Sequence, residues 1–166
     1  MLDRRALAAG IGFGVLALDQ ISKSWAVSAL WLQPPVKVVD GWLHLGLHFN
    51  RGAAFGSGAG MPPLVLAIPA VLVLTILGWV LHRRQERATA AMVGIAAGGV
   101  LGNLLDRFVR EVPGFGETTQ RAVVDFIILA PGRWPAFNVA DVAILVGLFG
   151  TAWASMRRRA DEDTEI

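Results

Sequence analysis

The sequence predicts an all-α integral membrane protein, with four transmembrane helices carrying a small extracytoplasmic β-sheet and loop. Three observations lead there. Hydrophobic residues make up 54% of the chain and charged residues 17%, which is too apolar for a soluble domain of 166 residues. The apolar residues fall into runs long enough to cross a bilayer, which takes about 20 helical residues. Between the first two runs the pattern turns to short alternation with period 2, the mark of strands rather than a span.

The first run, Ala6 to Leu18, follows Arg4 and Arg5 and imitates a signal peptide. It fails as one at Asp19-Gln20, where a cleavable signal offers small neutral residues. The span therefore continues through Trp25, over about residues 6–27. Asp19 and Lys23 share a helical face, and a simple ion pair would make both charges tolerable. Pro34-Pro35 ends this element. Val36 to His48 then alternates as two strands, with Asp40-Gly41 as a candidate two-residue hairpin turn. His44 and His48 fall on one strand face. With no carboxylate or cysteine at ligand spacing beside them, they read as a solvated face rather than a metal pair.

A glycine-punctuated loop, Phe49 to Gly56, has the amides and backbone freedom to grip a peptide main chain, although it could equally be a turn. The second span, 61–81, is almost purely apolar, with Pro69 tolerated inside it. The third, 88–106, repeats glycine at 94, 98 and 102, a ridge that lets another helix approach closely. It ends in Asn103, Asp106 and Arg107, which also fit a plain interfacial helix end. Residues 31–60 and 107–137 are the extracytoplasmic segments. The fourth span runs over 138–156, completing a membrane domain of residues 1–156. A cytoplasmic tail, 157–166, is rich in acidic residues and expected to be disordered.

Arg4, Arg5, Arg83, Arg84, Arg87 and Arg157 to Arg159 all fall on one side if there are four spans. That asymmetry predicts cytoplasmic termini. Asn50, Asp106, Asp125 and Asp141 then converge near the outer face, and such convergence of distant polar residues is a sign of a site. The basic residues form no patch interleaved with aromatics, so nucleic acid is set aside as a partner. The absence of cysteine removes thiol chemistry and disulfides. No serine has an elbow motif or a histidine at suitable spacing, and metal ligands are lacking. Paired aspartates acting on water remain.

Each aspartate also has a plainer explanation. Asn138 followed three residues later by Asp141 has the form of a capping box, and Asp125 could be an ordinary strand or turn residue. Their joint placement with Asn50, Asn103 and Arg107 favours a site. A transport subunit relaying protons through Asp19, Lys23 and Asp141 is the rival, but a relay needs ionisable groups across the whole span. A membrane scaffold would explain the glycine ridge and leave the clustered polar residues unexplained.

Five stretches in order carry a resemblance: Asp19-Gln20-Ile21-Ser22-Lys23, Asn50 to Phe55, Gly98 to Arg107, Val124-Asp125-Phe126 and Phe137 to Asp141. Together they resemble bacterial lipoprotein signal peptidase, signal peptidase II, over nearly the whole chain. The resemblance implies an intramembrane aspartyl endopeptidase of the bacterial cytoplasmic membrane. Such an enzyme removes the signal peptide of prolipoproteins, cutting before a diacylglyceryl-modified cysteine, and is inhibited by globomycin. It implies Asp125 and Asp141 as the catalytic pair. Asn50, Gly52, Asn103, Arg107 and Asn138 would bind substrate, with Asp19, Lys23 and Asp106 in support. No metal or cofactor is implied; the partners are lipid-modified prolipoproteins and membrane lipid, and the expected state is a monomer. The segment from Arg110 to Arg121 is longer than in compact members of that family.

Overall fold

The computed structural model describes residues 3–52, 62–82, 86–113 and 119–164. Among the described residues four helices are long and apolar enough to cross a membrane: α1 (Arg4–Leu30), α2 (Pro63–His82), α3 (Arg87–Phe108) and α4 (Val139–Thr164). Helix α3 lies at the centre. Half of its apolar stretch is buried inside the protein, against 22%, 17% and 22% for α1, α2 and α4, whose remaining apolar surface suits lipid.

Glycine spacing explains that centrality. A Cβ on Gly94 would meet the backbone of Ala8, and one on Gly98 the backbone of Gly12, so two glycines admit α1 to near backbone contact. On another face of α3, Gly99 lies against the Ala140 carbonyl of α4, and Gly147 of α4 lies against Ala96. The α1 helix runs unbroken through Asp19 and Lys23 because both charges turn inward and pair, at 2.8 Å. It stops at Leu30, just before Leu32 takes a positive φ of 57° and Pro34-Pro35 follows.

At the end of the bundle where α1 and α3 finish and α4 begins lies an antiparallel sheet, in the order β1 (Val36–Val39), β2 (Leu43–Asn50), β5 (Val123–Leu129). The intervening hairpin is β3 (Glu111–Pro113) with β4 (Thr119–Arg121). The predicted two-residue turn at Asp40-Gly41 is instead a three-residue loop closed by the Trp42 amide on the Val39 carbonyl at 3.0 Å, with Gly41 at φ 73°. A larger difference is β5, which joins the sheet through a segment expected as loop. Its first four residues are all buried, so no period-2 pattern marks it. Val124 and Phe126 pack with Ala26 and Leu30 of α1, Val112 of β3 and Ala122.

Phe137 forms an isolated bridge with Ile127, its carbonyl accepting from the Phe126 and Ile127 amides at 3.1 and 2.9 Å and its amide donating to the Ile127 carbonyl at 3.0 Å. This bridge ties the entry of α4 to β5. Residues 157–164 continue α4, since nothing after Gly150 is glycine or proline and the segment is rich in good helix formers. Ala53 to Phe55, Arg83, Arg84 and the centre of the Arg110–Arg121 segment lie outside the described residues.

Candidate active site

The site grows from the first turn of α4. Asn138 and Asp141 form a capping box. The Asp141 amide donates to Asn138 Oδ1 at 3.0 Å, and the Asn138 amide donates to Asp141 Oδ2 at 3.0 Å. The box fixes the Asp141 carboxylate, whose other oxygen accepts from Asn103 Nδ2 of α3 at 2.8 Å. The fully buried Asn138 then reaches across to β5, where its Nδ2 donates to Asp125 Oδ1 at 2.6 Å and to Asn103 Oδ1 at 3.1 Å. One asparagine therefore touches both aspartates. The Phe137–Ile127 bridge sets the register that makes this possible.

Asp125 is 2% exposed. Burial pushes its carboxyl up to about 7, and the neighbouring Asp141 charge adds to the rise; hydrogen bonds from Asn138 and Asn50 and the charge of Lys23 oppose it. Desolvation wins because a charged carboxylate loses far more on leaving water than two amide donors restore.

The second wall comes from the end of β2. Asn50 Nδ2 donates to Asp125 Oδ2 at 3.2 Å, while its Oδ1 accepts from the Gly52 amide at 3.0 Å and so fixes which way the amide faces. Arg107 donates through Nη2 to the Gly52 carbonyl at 3.1 Å and through Nη1 to the Asn103 carbonyl at 3.2 Å. Arg107 Nε is buried without a partner among the described residues, a donor free for another acceptor.

Behind the pair sits a buried ion cluster. Lys23 Nζ, fully buried, contacts Asp19 Oδ2 at 2.8 Å, Asp106 Oδ2 at 2.9 Å and Asn103 Oδ1 at 2.8 Å. Three acceptors match the three protons of an ammonium. Because Asn103 Oδ1 faces Lys23, its Nδ2 must face Asp141. The two carboxylates also hold backbone. Asp19 Oδ1 accepts from the Ala140 amide at 2.9 Å, and Asp106 Oδ2 from the Val124 amide at 3.3 Å. Each held amide belongs to the residue immediately before one of the paired aspartates.

All ten residues singled out in the sequence thus fall in one connected hydrogen-bond network. Two further members were missed. Gln20 Nε2 donates to Asp19 Oδ2 at 3.1 Å and to Asp106 Oδ1 at 3.1 Å. Arg110 donates through Nε to Asp106 Oδ1 at 2.7 Å and through Nη2 to Gln20 Oε1 at 2.7 Å. The spacing of Arg110 four residues after Asp106 was the available signal. His48 lies opposite Asp125 in the β2–β5 ladder and is exposed, His44 is half-buried, and among the described residues no group of three or more His, Asp or Glu could hold a metal ion.

A solved bacterial membrane enzyme has the same fold, with a TM-score of 0.76 over 93% of this chain and 90% of its own at 22% identity. The lipoprotein signal peptidase of Syntrophomonas wolfei is 38% identical over 135 residues, covering 80% of this chain and 81% of that protein. That of Azoarcus sp. is 37% identical over 149 residues, covering 86% and 78%. A family model described as signal peptidase (SPase) II matches residues 11–157. With four spanning helices and that match over most of its length, the chain is a multi-pass bacterial membrane peptidase and belongs to the signal peptidase II family.

Proposed function

We propose that the protein is an intramembrane aspartyl endopeptidase that removes the signal peptide of prolipoproteins, cutting before the diacylglyceryl-modified cysteine. The observation that carries this reading is the single buried asparagine, Asn138, hydrogen-bonded to both Asp125 and Asp141. Asp125, pushed up to about 7, is the member that carries a proton into the neutral range, and Asp141 is assigned the part of base. Asp141 draws a proton from a water lying between the pair as that water attacks the scissile carbonyl. Asp125 donates its hydrogen bond to the carbonyl oxygen and stabilises the tetrahedral oxyanion. Collapse of the intermediate breaks the C–N bond, the leaving amine takes a proton, and the pair returns to one proton shared between two carboxylates. No covalent intermediate, metal or cofactor takes part.

Asn50, Gly52, Asn103 and Arg107 line the substrate path, and the free Arg107 Nε supplies a donor for a peptide carbonyl. Asp19, Lys23 and Asp106 hold the frame. The site faces the outer surface with both termini cytoplasmic, a reading supported by the arginines flanking the spans. The acyl chains of the substrate then remain in the bilayer while the peptide rises to the carboxylates. A monomer contains the whole site.

The experiment is cleavage of a lipidated proprotein beside its unlipidated twin by purified protein in lipid. The lipidated form is cut, the twin is not, and globomycin blocks the reaction while chelators and thiol reagents leave it intact. Equal cleavage of both substrates would sink the assigned specificity, and loss of activity with a chelator, restored by zinc, would sink the aspartate chemistry.

A further inference from the structure

Behind the aspartates, Asp19, Asp106 and Lys23 are all fully buried, two carboxylates with one ammonium. Left so, the cluster carries an unbalanced negative charge next to a bilayer, and an uncompensated buried charge is strongly destabilising. The missing cation is Arg110. It lies one residue before β3, with its side chain 17% exposed, and contacts Asp106 Oδ1 through Nε at 2.7 Å. Its Nη2 holds the Gln20 side chain at 2.7 Å, and Gln20 in turn donates to Asp19, to Asp106 and to the Gly102 carbonyl. Asp106 thereby has each oxygen doubly engaged, Oδ1 by Arg110 and Gln20, Oδ2 by Lys23 and the Val124 amide.

We propose that Arg110 is a positioning residue for the aspartate pair: from the base of the β3–β4 hairpin it completes the buried cluster that holds Val124, and through it Asp125, in place. The hairpin belongs to the segment that the family resemblance leaves unexplained, and this assigns it a role. Val112, two residues beyond Arg110 and 1% exposed, seats β3 against Ala26, Leu30, Val124 and Phe126, so the arginine leaves its base on a fixed mount. Arg110 touches neither aspartate, and it acts through the tilt of Asp106 and the β5 backbone. The inference rests on Asp125 and Asp141 being the catalytic pair.

Three variants test it by cleavage of a lipidated proprotein in lipid, with rates normalised to folded protein. Arg110→Gln lowers kcat about ten- to a hundredfold with KM nearly unchanged, the loss expected when a positioned group shifts by a fraction of an ångström to an ångström. Arg110→Lys restores most of kcat, because a cation returns to Asp106 even without the fork to Gln20. Leu77→Ala, in the α2–α3 packing with Val93 and Ala96 and away from the buried cluster, lowers the melting temperature through a cavity and keeps kcat. Wild-type kcat in Arg110→Gln, no rescue by lysine, a change confined to KM, or an equal kcat loss in Leu77→Ala would each overturn the assignment. A failure of the aspartate reading shows separately, as an active Asp125→Asn or Asp141→Asn variant.

Discussion

Asn138 and Asp141 hold each other through two reciprocal hydrogen bonds, each 3.0 Å long. The cap and the catalytic role proposed for Asp141 are therefore compatible in one arrangement. The cap uses Oδ2 and leaves Oδ1 to Asn103, so capping is what aims the carboxylate. The substitution that separates the roles is Asp141→Asn. An asparagine can keep the cap with its oxygen, but its amide then meets Asn103 Nδ2, and Lys23 prevents Asn103 from turning over. Two donors face each other.

The expected outcome is a folded, membrane-inserted Asp141→Asn protein that has lost about 1–3 kcal/mol of stability and all measurable turnover. Asp125→Asn is equally inactive, and the double variant is hardly worse than either single, since removing one member already disables the shared proton. Single-turnover cleavage with melting temperatures alongside checks this. Near-normal cleavage by either single variant would falsify the pairing.

The four spans were legible because nothing but lipid contact or helix packing accommodates such long apolar runs. The first two strands were legible because they stay wholly or partly exposed and keep polar residues between apolar ones, Lys37 in the first and His44 and His48 in the second. The third was not: Val123 to Phe126 is covered on both faces and reads as a plain apolar run around an aspartate. For the same reason the Phe137–Ile127 bridge, which brings Asp125 to Asn138, had no local signature. Asp19 and Lys23 were legible as a pair four residues apart. That their partners are Asp106 and Asn103 of α3 depends on the glycine-guided approach of α1, a tertiary fact. Arg110 was hidden because a charge in a presumed loop carries little local information.

Glycines 94 and 102 of α3 separate packing from positioning. A Cβ on Gly94 meets the Ala8 backbone, which cannot yield, so Gly94→Ala pushes α1 and α3 apart. A Cβ on Gly102 meets the Asp19 carboxylate, which is pinned by Lys23 and the Ala140 amide. Both variants lose about 1–3 kcal/mol of stability, the usual cost of overpacking. Gly102→Ala should in addition lose turnover per folded molecule by about tenfold or more, because displaced Asp19 releases the residue before Asp141. Equal turnover per folded molecule in the two variants would remove Asp19 from the positioning apparatus.

Topology gives an independent check. Reporters fused after Arg84 and Arg159 read cytoplasmic, and those near Gly58 and Gly116 read extracytoplasmic, because the arginines beside the spans cluster on one side. A cytoplasmic signal at Gly116 would place the aspartates on the wrong face for a substrate delivered from the outer side.

The raised carboxyl of Asp125 makes the pH dependence of stability specific to this residue. Its folded value of about 7 exceeds the ordinary 3.8 of an unfolded aspartate, burial being the main cause. Between roughly pH 4 and pH 7 the native state therefore binds more protons at this site than the unfolded chain. Stability falls as pH rises through that window, by up to about 1.4 kcal/mol per pH unit, and the loss is complete above it. Asp125→Asn removes the ionisable group. The variant should be more stable than wild type at pH 8, and its advantage should shrink steadily as pH is lowered to 5. Under the proposed mechanism wild-type turnover also falls above pH 7, as Asp125 loses the proton assigned to the scissile carbonyl. Denaturation of both proteins in lipid or detergent at several pH values checks the first statement, and the pH profile of single-turnover cleavage checks the second. A pH-independent stability difference would remove the buried, protonated Asp125 and return the acid's role to Asp141.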